Sequence, residues 1–165
     1  FGFQYKNNTL DSSWTITMHI INPIVFSVML AAVTVSSAAQ AGPAVSVTFK
    51  NNGTAAAIYS AVGKNGAGTK ANASPTPGDK VEKGSFDSYK VQSNLSPDVN
   101  YAVVHYQIGS KACQFTTTYL KSRVRGVELP KWNKNAVASG GARCDVKITS
   151  VDFATHAWAV EFAMK

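Results

Sequence analysis

Tyr101-Ala-Val-Val-His-Tyr-Gln-Ile-Gly-Ser-Lys-Ala-Cys-Gln-Phe-Thr-Thr-Thr-Tyr-Leu120 is the stretch that decides the fold. Two runs rich in β-branched and aromatic residues, Tyr101 to Ile108 and Ala112 to Leu120, flank Gly109-Ser110-Lys111. Glycine at the first turn position suits a type II′ or short bulged hairpin connection. Side chains alternate across a strand, so Cys113, Phe115, Thr117 and Tyr119 share one face. The stretch therefore predicts a β-hairpin with one face turned to a core.

The same period of two extends in both directions. Toward the C-terminus, Cys144, Val146 and Ile148 alternate with Asp145, Lys147 and Thr149. A turn at Asp152-Phe153-Ala154-Thr155 leads into His156 to Met164, which places Trp158, Val160, Phe162 and Met164 on one face. Toward the N-terminus, Val45, Val47 and Phe49 alternate with Ser46, Thr48 and Lys50, and Asn51-Asn52-Gly53 ends the run as a turn. Ala56 to Val62 and Ser85 to Val91 read as further strands, and Gly63 to Gly68 as a flexible loop. Pro75, Pro77 and Gly78 exclude a helix over 73–79. Nothing beyond residue 42 has a convincing 3.6-residue period. Short strands punctuated by Gly, Pro and Asn turns predict an all-β domain, an antiparallel β-sandwich of about seven to eight strands. Its expected core holds Trp158, Val160, Phe162, Val146, Ile148, Val45, Val47 and Phe49.

Upstream of Gly42 the text changes character. From Met18, the apolar run Ile24 to Val35 has the length of a signal-peptide h-region and is too short to span a bilayer. Ala39-Gln40-Ala41 supplies small residues where a signal peptidase reads them. The expectation is a signal peptide over 18–41, helical across Ile20 to Ser36, cleaved before Gly42. The competing reading is a buried helix of the folded domain. Residues 1–17 show no clear periodicity and are expected to be an unstructured upstream extension. The domain is then 42–165, with no transmembrane span, in a secreted or periplasmic protein.

Residues 42–165 carry 15 Lys and Arg against 8 Asp and Glu, so this part keeps the net charge of +7. A basic balance favours acidic partners, and it also simply keeps a small protein soluble. Cys113 and Cys144 are the only cysteines. In an exported chain they have one possible pairing. A bridge closing a loop of this length contributes about 3–4 kcal/mol by chain entropy. Isolated Cys and His residues far apart offer no metal-ligand spacing.

No catalytic motif is present: no Gly-x-Ser-x-Gly elbow, no His-Glu-x-x-His, no phosphate loop and no Cys-x-x-Cys. His105 and His156 have no nucleophile or carboxylate near in sequence and read as structural. No catalytic residue and no cofactor is expected. Asn52-Gly53-Thr54, Asn72-Ala73-Ser74 and Asn94-Leu95-Ser96 match the glycosylation pattern and are expected to be unused.

One segment stands apart. Residues 121–143 hold six basic residues, Lys121, Arg123, Arg125, Lys131, Lys134 and Arg143, and one acid, Glu128. Trp132 lies between Lys131 and Lys134. Pro130, Gly140 and Gly141 point to a long loop, and the two cysteines bracket it. A basic loop with an exposed aromatic suits anionic lipid, a glycan, nucleic acid or an acidic protein. The plainer reading is a solvated loop whose Trp132 folds back onto the core.

The run Val45-Ser-Val-Thr-Phe-Lys-Asn-Asn-Gly53, the Ser74-Pro-Thr-Pro77 loop and the closing Cys144-to-Phe162 hairpin resemble small secreted bacterial proteins of uncharacterised function. More loosely, the architecture is similar to aegerolysins, β-sandwich proteins that bind membrane lipids. The chain departs from them in being strongly basic. Three functional expectations are carried forward. The first is an exported, non-enzymatic binding module for an anionic surface, using Lys121, Arg123, Arg125, Lys131, Trp132, Lys134 and Arg143. The others are a small secreted hydrolase with loop-borne catalytic residues and a structural subunit of an extracellular assembly.

Overall fold

The computed structural model describes residues 41–165. The expectations for residues 1–17 and for the signal helix lie outside the described residues. In chain order the elements are β1 (Val45–Asn51), β2 (Ala57–Ser60), α1 (Gly63–Ala71), β3 (Ala73–Ser74), β4 (Lys80–Val81) and β5 (Phe86–Val91). They continue with β6 (Val99–Ile108), β7 (Lys111–Val124), β8 (Val127–Ser139), β9 (Cys144–Val151) and β10 (Trp158–Met164). Two five-stranded sheets form, in the orders β3-β5-β1-β10-β9 and β4-β2-β6-β7-β8. The all-β expectation holds. Eight strands have four or more residues, and β3 and β4 add two short pairings.

Alternation fixes which faces meet. Val45, Val47, Phe49 and Asn51 of β1 are buried, as are Trp158, Val160, Phe162 and Met164 of β10. From the other sheet, β6 contributes Ala102, Val104, Tyr106 and Ile108, and β7 contributes Cys113, Phe115, Thr117 and Tyr119. Aromatic rings span the interface. Phe49 stacks on Tyr106 with centroids 3.4 Å apart, and Phe115 stacks on Phe162 at 4.8 Å. Val146 and Ile148 are only half-buried, because β9 is an edge strand. Burial raises the hydroxyl pKa of Tyr89 and of Tyr106 well above the usual tyrosine value, so both stay neutral donors in the core.

Two buried asparagines close the ends of the sandwich. At one end, the Asn51 amide donates to the carbonyls of Ala55 (2.8 Å) and Val81 (2.9 Å), and its oxygen accepts from the Gly53 N–H. At the other, the Asn100 amide donates to the carbonyls of Pro43 (2.7 Å) and Val91 (3.0 Å). Each satisfies backbone groups that no strand partner reaches. The bridge Cys113–Cys144 joins β7 to β9, and so one sheet to the other, with Cα atoms 5.8 Å apart.

Three expectations are corrected. First, β1 and β10 run parallel, in register from Val45↔Trp158 to Asn51↔Met164. They are the first and last strands of the domain, so no hairpin constrains their direction. Second, residues 63–68 open the helix α1 and are not a flexible loop. Its glycines let it lie against the strands: a side chain at Gly66 would crowd the Ala61 backbone, and one at Gly68 would crowd the Tyr101 hydroxyl. Thr69 then holds it, donating to the Asn65 carbonyl and accepting from the Val103 N–H, both at 2.9 Å. β2 pairs with β6 only at Gln107, Tyr106 and His105, so this contact covers the β6 edge where β2 stops. Third, residues 121–143 are not a long loop. They are the last four residues of β7, a two-residue turn, β8 and the connection through Gly140-Gly141.

Candidate binding ribbon

β7 and β8 pair without interruption from Ala112↔Ser139 to Val124↔Val127. β6 accompanies β7 only as far as Val99↔Leu120. Beyond that point four cross-strand pairs stand as a two-stranded ribbon, projecting about 13 Å past the sheet at ~3.3 Å per residue. Its turn is Arg125-Gly126, with φ of 51° and 82°. Positive φ at both central residues is the type I′ geometry, which matches the strand twist. Arg125 holds a left-handed conformation that a non-glycine residue enters at a cost of about 1–2 kcal/mol. Pro130 is accepted because β8 is an edge strand.

The seven residues expected to form one site are distributed along this structure. Lys121 and Arg123 lie on the ribbon face continuous with the core side of β7. The Lys121 ammonium is 2.9 Å from Asp98 and 3.4 Å from Glu128, and the Arg123 guanidinium donates to Glu128 at 2.8 Å. The hydrogen bond to Asp98 raises the Lys121 pKa, and the hydrogen bond from Arg123, then the Lys121 charge, lowers that of Glu128. Arg125 is the turn itself. Lys131 is exposed on the opposite face, paired with Leu120. Lys134 points inward and donates to the Val146 carbonyl at 2.9 Å, across to β9. Arg143 belongs to the other end of the sandwich, where its backbone exchanges hydrogen bonds with Lys165. The span from Cys113 to Arg125 is about 40 Å at ~3.3 Å per residue. The segment thus brings Lys121, Arg123, Arg125 and Lys131 together and leaves Lys134 and Arg143 apart.

Trp132 folds back, as the plainer reading expects. Its indole donates to the His156 carbonyl at 3.1 Å, and its ring packs against Tyr119 and the edge of Phe153. The loop 152–157 that receives it is internally braced. The Asp152 carboxylate accepts from the Thr155 hydroxyl and from the N–H groups of Ala154 and Thr155, which lowers its pKa. His156 has φ 61°, and its Nδ1 lies 2.8 Å from the Tyr119 hydroxyl. This cluster is the base of the ribbon.

Sequence reading missed the residues on the ribbon's outer face: Leu120, Val124, Val127 and Leu129, which are 46%, 51%, 59% and 47% exposed. The signal was present as a change of parity. Apolar residues occupy odd positions through Phe115 and Tyr119, then shift to Leu120 and Val124. Asp98, the acid that anchors Lys121, lies in the loop before β6, and no pattern in the sequence links the two.

His105 and His156 each have a hydroxyl partner. Ser60 Oγ is 2.8 Å from Nδ1 of His105, its direct cross-strand neighbour. Among the described residues, no carboxylate hydrogen-bonds to either histidine ring. Also among them, no group of three His, Cys, Asp or Glu could hold a metal ion, and no helix is long and apolar enough to cross a membrane. Compared with known proteins, the chain matches no family model, no curated protein and no solved structure.

Proposed function

We propose that the domain is an exported, non-enzymatic binding module that engages an acidic partner or anionic surface through the β7–β8 ribbon. One observation carries the reading: a ribbon outside the sandwich core concentrates Lys121, Arg123, Arg125 and Lys131 against a single internal acid, Glu128. The disulfide is compatible with an oxidising compartment, as a secreted or periplasmic protein would meet. The mass of the exported protein tests the processing: a product starting at Gly42 agrees, and one retaining 18–41 does not.

Binding to anionic vesicles, an acidic glycan and single-stranded DNA at low and high salt tests the function. Exposed charges are screened over ~8 Å at physiological ionic strength, so affinity falls as salt rises. The informative variant combines Arg123→Ala, Arg125→Ala and Lys131→Ala, since Trp132 and Lys134 already hydrogen-bond to backbone carbonyls elsewhere in the domain. Each cation contributes roughly 1 kcal/mol at an anionic surface, so the triple variant weakens binding at least tenfold. Equal binding by both proteins sinks the reading. The hydrolase alternative has the Ser60–His105 hydrogen bond in its favour, on a face grooved between Val103 and Asn65. Labelling by a serine-directed organophosphorus probe, lost in Ser60→Ala, would support it.

A further inference from the structure

We propose that the surface the ribbon engages is an anionic phospholipid bilayer, and that Leu120, Val124, Val127 and Leu129 enter its interfacial layer while Arg125 and Lys131 meet the headgroup phosphates. This rests on the binding-module reading above and names its partner.

The ribbon has two chemically different faces. The pairs Val124↔Val127, Ser122↔Leu129 and Leu120↔Lys131 lie on the outer face, and Val99, paired with Leu120, continues it onto the sheet. Neighbouring cross-strand pairs are in contact range, so these aliphatic side chains form one contiguous exposed strip. The charged residues Lys121, Arg123 and Glu128 occupy the reverse face and bind one another and Asp98. A two-sided element with apolar residues on one face and cations at its rim matches the layered chemistry of an anionic interface.

Three features favour a bilayer over a protein partner. The first is charge. The ribbon and the Leu120↔Lys131 pair at its base hold four cations and one anion, so a second copy placed against the same face would set Lys131 and Arg125 against their like. The second is relief. Two other apolar side chains stand out at the same end, on separate loops: Leu95, 87% exposed, and Phe153, 75% exposed. The Lys121–Asp98 pair and the Trp132–Phe153 contact tie those loops to the ribbon base. Apolar tips on separate prominences suit a broad, deformable surface better than one fitted pocket. The third is depth. A ribbon of about 13 Å is too short to cross a core of ~30 Å, and its unpaired backbone edges would not be tolerated there. Docking therefore stops in the headgroup and upper acyl region.

The test places an environment-sensitive fluorophore on the ribbon of the full chain through Val127→Cys, which is available because Cys113 and Cys144 are bridged. A second preparation carries it at Val137→Cys, exposed on the same sheet face near the disulfide end. Vesicles of phosphatidylcholine with and without phosphatidylglycerol are compared with soluble polyphosphate. The expected result is a blue shift at position 127 with phosphatidylglycerol vesicles, quenched by brominated lipid, and no shift at 137. Val124→Ser with Leu129→Ser should weaken the response roughly tenfold, from the apolar area withdrawn, while the melting temperature stays unchanged. Binding of polyphosphate without any vesicle response would overturn the bilayer and leave the binding module standing. No response to either would remove both. A shift that appears without vesicles, with a doubled mass in light scattering, would identify a second copy as the occupant and overturn the proposal.

Discussion

β7 and β8 form one hairpin that lives in two environments. In its lower half, from Ala112↔Ser139 to Leu120↔Lys131, the odd-numbered side chains of β7 pack against the other sheet and are buried. In its upper half, from Lys121↔Pro130 to Val124↔Val127, the same parity carries Lys121 and Arg123, and the aliphatic residues sit on the other face. Backbone pairing is continuous, yet the apolar side of the element reverses. Hydrogen bonding along a ladder propagates shape, whereas burial depends on what lies opposite. The lower half is held by the fold. The upper half is held by its turn and its ion pairs.

That contrast predicts unequal responses to mutation. Phe115→Ala, in the lower half, opens a cavity beneath Phe49 and Phe162. It should cost about 3–5 kcal/mol in denaturant unfolding, while Val124→Ala in the upper half should change stability by less than about 0.5 kcal/mol. Equal costs would mean the ribbon packs as part of the core. Removing the bridge with Cys113→Ala and Cys144→Ala should cost about 3–4 kcal/mol and leave the ribbon's ligand response unchanged, since the bridge lies at the opposite end. A loss of binding in the folded variant would couple the two halves.

Smaller effects probe the upper half alone. Arg125→Gly relieves the left-handed turn residue and should make ribbon opening harder by up to about 1 kcal/mol, visible as slower amide exchange over residues 121–130 with the core unchanged. Faster exchange would show that the arginine side chain holds the turn. The smallest effect is with pH. The Glu128 carboxyl is held below its usual 4.5 by Arg123 and then Lys121. Its contribution to ribbon closure is therefore present above that value and is lost as pH falls through the lowered one. Exchange over 121–130, corrected for its intrinsic pH dependence, should rise on acidification. Glu128→Gln should abolish that rise, and a variant that retained it would show that Glu128 is not its source.

The lower half was legible in the sequence and the upper half was not, for physical reasons. Phe115, Thr117 and Tyr119 alternate strictly, and Gly109 marks a turn in which it alone takes positive φ, so face and turn followed from local rules, while Lys111, read as part of the connection, pairs with Ile108 in the ladder. The core of β1 and β10 followed in the same way. The distal ribbon breaks those rules: Arg-Gly is an unusual type I′ pair, Pro130 argues against a strand, and the apolar parity reverses without a gap. Composition still located the basic residues, but their grouping depended on pairing over the turn and on Asp98 from another loop. The helix α1 escaped for a related cause. Its stability comes from close contact with Ala61, Tyr101 and Val103 and not from any periodic face.

The parallel pairing of β1 with β10 has a consequence in time. The centre of one sheet is built from strands more than a hundred residues apart, so β1 has only β5 beside it until β10 has been synthesised. Long-range pairing of this kind slows folding. During synthesis one edge of the first strand therefore stays unpaired, and the sandwich locks only when the last strand is made.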